Sequence, residues 1–222
     1  MAPRGRPRSF DRDEALDRAM RVFWERGYEG TSISDLLRAM GINPPSLYAA
    51  FRSKENLFRE AVQRYERLEG EVTARALTDE PTARAAIEVM LRGNADAYAD
   101  PAKPSGCMTV LSATVGMPAH APVRDFLREL RLRSLDAIQH RLECGIAEGD
   151  LPPGVDTAAL AMFYTAVLEG MSIKARDGAR REDLHRMIDC AMAAWDALTA
   201  VPAPARGGRP SSDVRERGWP MP

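Results

Sequence analysis

Residues 27–58 read GYEGTSISDLLRAMGINPPSLYAAFRSKENLF, and the spacing of their apolar and turn residues decides how the front of the chain folds. Ser32 has Asp35 three residues on, in capping-box order, and Ile33, Leu36, Leu37 and Met40 recur behind it at helical spacing. This predicts a short helix over 32–40. Gly41 stands where a helix end favours a residue tolerant of positive φ. Asn43 is a good N-cap, and Pro44 suits the first helical position, where its missing N–H has no intrahelical partner to lose. A second short helix over 44–51 follows, with Leu47 and Phe51 one turn apart and facing inward. Ser53 opens a third helix whose first residue is Lys54. Two short helices joined by a glycine-bearing turn cross at roughly 90–120°, the helix-turn-helix arrangement in which one spans the DNA backbone and the other enters the major groove.

Upstream, Leu16, Ala19, Met20 and Phe23 form the core-facing stripe of a supporting helix over 12–26. Before it lies Pro3-Arg4-Gly5-Arg6-Pro7-Arg8, short, basic and poor in helix formers. Arg4, Arg6 and Arg8 suit an extended arm in a narrow A·T-rich minor groove, where arginine meets enhanced negative potential.

The motifs of this region resemble those of the TetR family of bacterial transcriptional regulators. They are Phe23, Gly27-Tyr28, Thr31-Ser32-Ile33, Gly41-Ile42, Leu47-Tyr48-Ala49-Ala50-Phe51 and Ser53-Lys54-Glu55-Asn56-Leu57. The match covers the first quarter of the chain; the remainder is similar to the family in length and helical pattern. The resemblance implies that Tyr48 meets the phosphate backbone, with Lys54 and the Thr31-Ser32 end as further anchors. It also implies that Pro44, Pro45, Ser46, Ala49 and Arg52 share the reading surface. Where many relatives carry a Lys or Arg and a His, this chain has Pro44-Pro45 and Ala49. That favours apolar contacts to thymine methyls, with hydrogen bonds from Ser46 and Arg52.

The rest of the 222 residues reads as further helices. The expected spans are 54–77, 81–100, 106–115, 121–148, 156–175 and 181–200. Proline or glycine marks the breaks, and no alternating β pattern competes. The fold class is therefore all-α, about nine helices, in four parts: a basic arm over 1–10, a helix-turn-helix domain over 11–53, a helical effector-binding and dimerisation domain over 54–200, and a polar tail over 201–222. The last two helices are apolar over more of their circumference than one core face requires. Leu160, Phe163, Val167 and Met171, with Leu184, Met187, Ile188, Ala191 and Trp195, are the expected homodimer interface, built as a four-helix bundle.

The resemblance further implies an effector cavity among these helices. Candidate lining residues are Met90, Tyr98, Cys107, Met108, Leu111, Met117, His120, Phe126 and Tyr164. Few charges fall among the apolar stripes, so a neutral or weakly polar hydrophobic small molecule is the expected effector. Cys107, Met108, Met117 and His120 are also soft-metal ligand types, although core packing explains Cys and Met equally well.

Composition bounds the remaining classes. Hydrophobic residues at 45% and charged residues at 28% describe an ordinary globular protein. A net charge of −1 means that nucleic-acid affinity must come from local patches. No run approaches the ~20 apolar residues of a membrane helix, the basic start leads into charged residues unlike a signal peptide, and a cytoplasmic location is expected. Cys107, Cys144 and Cys190 are far apart, without the spacing of a structural metal site, and no cofactor is expected. His120, His140 and His185 are scattered and no nucleophile or phosphate-loop motif is present, so the chain does not read as an enzyme. Two functions fit: a ligand-responsive repressor that binds palindromic double-stranded DNA as a dimer, or an architectural DNA-binding protein of the same fold without an effector.

Overall fold

The computed structural model describes residues 10–112 and 120–201, and among these every regular element is a helix. The first four helices are α1 (Arg12–Arg26), α2 (Ile33–Met40), α3 (Pro44–Phe51) and α4 (Lys54–Glu69). Their ends are set by the side chains expected to set them. Ser32 Oγ accepts from the Asp35 N–H at 3.1 Å while Asp35 accepts from the Ser32 N–H at 3.1 Å, closing the capping box of α2. Gly41 stops α2 in the left-handed conformation with φ 69°, its N–H donating to the Leu37 carbonyl. The Asn43 side chain accepts from the Ser46 N–H at 2.9 Å, and Ser53 caps α4 through the Asn56 N–H at 3.0 Å.

These caps aim the apolar faces at one another. Phe23, Leu36, Leu47, Phe51, Leu57 and Phe58 are all buried. Phe23 meets Phe58 edge-on at 5.0 Å between centroids, Tyr28 meets Phe58 at 5.1 Å, and Trp24 meets Tyr65 at 4.7 Å. Such aromatic pairs contribute about 0.5–1.5 kcal/mol each beyond their burial. Arg12 clamps the group from outside, its guanidinium 4.4 Å above the Phe51 ring and bonded to Glu60 at 2.6 Å. α3 is thus fixed on α1 and α4 with its outer face free.

Seven further helices complete the chain: α5 (Glu71–Asp79), α6 (Ala83–Tyr98), α7 (Met108–Leu111), α8 (Ala121–Ala147), α9 (Thr157–Arg176), α10 (Arg181–Ala193) and α11 (Trp195–Thr199). The total of eleven among the described residues exceeds nine because two long spans break. The span 54–77 ends its first helix at Gly70, among the weakest helix formers, and α5 then turns to lie along α6. The span 181–200 gives way at Ala194, which lets Trp195 swing in beside Tyr164 at 5.6 Å and bury all but 4% of its surface. α8 and α9 lie side by side, and α6 packs on both α9 and α10. One apolar core runs continuously from Ala15 to Trp195. Among the described residues no helix is long and apolar enough to cross a membrane.

The two halves are joined by a hydrogen bond from the last turn of α1 to the loop that precedes α7. Trp24 Nε1 donates to the Gly106 carbonyl at 2.8 Å in a buried setting. Gly106 has φ 76°, and a Cβ there would lie 2.5 Å from the Ser172 carbonyl oxygen, so the loop reaches Trp24 only with glycine at this position. Trp24→Phe keeps most of the ring and leaves that buried carbonyl without its donor. The expected loss is about 1–3 kcal/mol in urea unfolding of the full chain; an unchanged midpoint would remove this bond from the account.

Candidate nucleic-acid interface and regulatory cavity

The outer face of α3 consists of Pro44, Pro45, Tyr48 and Ala49, all exposed, with Ser46 half-buried beside them. Tyr48 is 49% exposed, which places its phenol at the surface and not in the packing beneath. Its neighbours Leu47 and Phe51 point the other way and anchor the helix. Arg52 follows with φ 67°, a left-handed conformation that non-glycine residues seldom adopt, and its N–H closes α3 on the Tyr48 carbonyl. The exposed Arg52 side chain lines a polar cleft with Asn56, Arg59 and Gln63, off the end of α3.

Lys54 sits at the start of α4 with its ammonium 4.3 Å above the Tyr28 ring. Desolvation there lowers its pKa, partly offset by the Glu29 carboxylate; the same burial raises that of Tyr28. Thr31 differs from expectation. It is 1% exposed and donates its hydroxyl to the Gly27 carbonyl at 2.7 Å, so it is a fastener of the preceding turn and presents nothing to a phosphate. Ser32 is exposed, but its hydroxyl is engaged by Asp35 and Ser34. Hydrogen bonding to Ser32 holds the Asp35 carboxyl below its ordinary pKa. Arg4, Arg6 and Arg8 lie outside the described residues.

Four more contacts hold this head on the remaining helices. Arg176 donates to the Trp24 carbonyl at 2.7 Å, Arg59 to the Pro122 carbonyl at 2.9 Å, and Arg21 to the Ala102 carbonyl at 3.4 Å. His120 bonds Glu29 at 2.8 Å and stands edge-on to Tyr28. They gather around α1, the start of α8 and the end of α9.

A cavity of about 350 Å³ opens between α4, α5, α6, α7, α8 and α9. Of the residues expected to line it, Tyr98 and Cys107 do so. Met90, Met108 and Tyr164 are instead packed in the core with no exposed surface, since large apolar side chains at helical spacing fill the interior before they line a void. Tyr164 donates to the Ala191 carbonyl at 3.3 Å, and burial pushes its pKa up to about 12. Leu111 packs toward Gly106, and Phe126 stacks under the Arg59 guanidinium at 4.7 Å, both away from the cavity wall. His120 belongs to the head contacts just described, and Met117 lies outside the described residues. Among the described residues, no cluster of His, Cys, Asp and Glu forms that could hold a metal ion. Cys107 instead meets the buried Tyr65 and Tyr98 hydroxyls, whose pKa values rise by desolvation and by this thiol.

The walls that sequence alone did not reveal include polar residues: Tyr65, Glu66 and Glu69 from α4, Thr73 from α5 and Asn94 from α6. Arg131, Arg133 and Ser134 from α8 and Thr165 and Glu169 from α9 join them, among apolar residues such as Leu77, Leu130 and Leu168. The signal available was a polar residue on an otherwise inward stripe, as at Asn94, which is 8% exposed and donates to Thr73 at 2.9 Å.

The surplus apolar surface on α9 is real, but it differs in part from the expected set. Leu160, Met171, Leu184, Ile188, Ala191 and Trp195 are buried within the protomer and offer nothing to a partner. The reason is phase: those positions face α6 and the neighbouring helices, and the opposite stripe of α9 is left uncovered. That stripe is Ala159, Met162, Phe163, Ala166 and Ile173, with Met162 64% exposed. Phe163 is on it; Val167 and Met187 flank it half-buried.

Comparison with known proteins agrees with this architecture. The family model described as "Bacterial regulatory proteins, tetR family" matches residues 15–61, and that described as "Tetracyclin repressor-like, C-terminal domain" matches residues 81–191. The HTH-type transcriptional repressor ComR of Escherichia coli strain K12 is 35% identical over 88% of this chain and 93% of its own. The repressor BdcR of the same strain is 32% identical over 86% and 89%. Among solved structures, the TetR family transcriptional regulator CifR, as a cysteine mutant complexed with 26-bp double-strand operator DNA, is 46% identical with a TM-score of 0.84, covering 86% of this chain and 100% of that one. Two family models spanning both halves, and relatives matched along nearly their whole length, establish that the chain belongs to the TetR family of bacterial transcriptional regulators.

Proposed function

We propose that this sequence-specific DNA-binding regulator is a ligand-responsive repressor that reads a palindromic operator as a homodimer. The observation that carries the reading is α3 itself: a two-turn helix pinned by Leu47 and Phe51, with Tyr48, Ala49 and the Pro44-Pro45 pair turned outward. The operator-bound CifR structure, 46% identical, supports DNA as the partner of that face. Tyr48 and Lys54 hold phosphates in this reading, while Pro44, Pro45 and Ala49 meet thymine methyls and Ser46 and Arg52 supply hydrogen bonds; Ser32, whose donors are taken by Asp35, caps α2 instead. The arm of Arg4, Arg6 and Arg8 adds minor-groove contacts. A cytoplasmic location fits this role.

The uncovered stripe of α9, with Met187 and Cys190 of α10 beside it, is the homodimer surface we propose. An apolar stripe with a methionine 64% exposed favours burial by a symmetry mate. Dimerisation sets the separation of two reading heads, and half-sites one turn apart lie roughly 34–36 Å from centre to centre.

Residues 11–53 form the reading head in this scheme and 54–200 the regulatory part, with α4 belonging to both. The cavity is the effector site. Its wall residue Cys107 is bonded through its N–H to Ser172 Oγ at 2.7 Å and adjoins Gly106, whose carbonyl holds Trp24 of α1. A molecule that displaces this wall moves the grip on the head. Effector and operator then oppose each other through one coupling free energy.

Selection of genomic fragments with the purified protein, followed by titration at fixed salt, should return a palindrome bound at least ~10³-fold more tightly than random DNA. Equal affinity for both would favour the architectural alternative. Lys54→Gln should weaken operator and random DNA alike and reduce the salt slope by about 1.8, ~0.9 for each protomer of the dimer; an unchanged slope removes Lys54 from the phosphate contacts. In sedimentation, Phe163→Glu combined with Met162→Glu should convert a dimer to a monomer with unaltered helical circular dichroism, and a persistent dimer would place the interface elsewhere.

A further inference from the structure

Two of the walls of the cavity carry buried polar atoms that the protein itself leaves unused. Arg131 Nη1 on α8 and Thr165 Oγ1 on α9 are shielded from solvent and have no hydrogen-bond partner among the described residues. Both omissions are unusual. A buried guanidinium N–H without an acceptor costs more than a neutral group does. A helical threonine ordinarily satisfies its hydroxyl on the carbonyl four residues back, as Thr78 does on Ala74 and Thr199 on Trp195 in this chain; Thr165 does not. Both residues border the same cavity, between its interior and a shallow groove on the outer face of α8 and α9.

Each atom is able to donate, so what they lack in common is an acceptor oxygen. The charges nearby choose its type. Glu66, Glu69 and Glu169 also line the cavity, against Arg131 and Arg133, and only Glu69 is neutralised from outside, by Lys103 at 2.9 Å. The Glu66 carboxyl is half-buried, with desolvation favouring its neutral form. With Glu69 held by Lys103, Glu66 and Glu169 already balance Arg131 and Arg133, so a carboxylate ligand at Arg131 would leave this lining net negative. A neutral carbonyl accepts both hydrogen bonds without that imbalance, and Leu130, Leu168 and the Tyr65 ring provide apolar surface for its body.

We propose that the effector is a neutral, largely apolar molecule carrying a carbonyl-type oxygen, which Arg131 and Thr165 bind together. The inference rests on reading this cavity as the effector site. It adds residues and a chemical class to that reading: a ketone, ester or amide, in preference to an acid, an amine or a hydrocarbon.

Three probes of one size separate these cases on the full-length protein: acetophenone, benzoate and ethylbenzene, followed by ligand-observed NMR titration. Acetophenone should bind at least about tenfold more tightly than either of the others, as two hydrogen bonds, one from a charged donor, require. Thr165→Val and Arg131→Met should each erode that preference while leaving ethylbenzene as weak as before, with thermal unfolding confirming that both variants fold. Equal binding of acetophenone and ethylbenzene, benzoate as the tightest probe, or a preference that survives both substitutions overturns the inference. So does an Arg131→Met variant that alters dimer dissociation and not ligand preference, since the guanidinium would then serve the neighbouring subunit. Leu168→Trp, which fills the cavity, distinguishes the two levels. If it abolishes binding of probes that show no carbonyl preference, the cavity stands and only the ligand class fails; if it changes nothing, the cavity is not the site.

Discussion

The hydrogen bond from Trp24 to the Gly106 carbonyl constrains more of this protein than its size suggests. It is buried, it joins residues 82 positions apart, and it ties the helix supporting the DNA-reading unit to a loop that borders an internal cavity. Glycine is required at its acceptor because Ser172 of α9 lies against the loop. The edge-on contact of Trp24 with Tyr65 extends the same tie into α4, whose far end lines the cavity. Head, connector helix and regulatory helices consequently share one core, and a perturbation of the cavity wall has few soft places in which to dissipate.

The reading unit was legible in the sequence because its geometry is set locally. Ser32, Gly41, Asn43 and Ser53 each act within four residues of their own position, so caps, turn and helix polarity follow from short spacing alone. Thr31 was misread for the same reason: its exposure is decided by how the Gly27 turn folds back, which a list of hydroxyl residues does not disclose. The regulatory helices were legible as helices but not in phase. The pattern of α9 is apolar nearly all round, so the sequence could not say which side faces α6 and which is left bare, and of the interface residues expected there Leu160 and Met171 are core. The breaks at Gly70 and Ala194 are compromises with tertiary packing, visible only once α5 has α6 to lie upon and Trp195 has Tyr164 to meet.

The cavity shows the opposite limit. Its walls come from six helices, and the polar residues of different walls are separated by tens of positions in sequence. Apolar prominence identifies core, so Met90, Met108 and Tyr164 drew attention and proved to be filling. The informative residues were polar ones on inward faces, such as Asn94 and Thr165. Their meaning depends on hydrogen bonds made or left unmade, and those exist only in three dimensions.

On the proposed reading of the DNA-facing surface, stability and recognition compete at Arg52. Its backbone is held at φ 67°, where glycine or asparagine would rest with less strain, of order 1–3 kcal/mol. A chain optimised for thermal endurance alone would exchange it. Laboratory selection for heat resistance should therefore discover glycine at this turn and, in doing so, remove a positive charge from beside the groove-facing helix. Under that proposal the most stable form of the protein and the form most suited to DNA are different sequences.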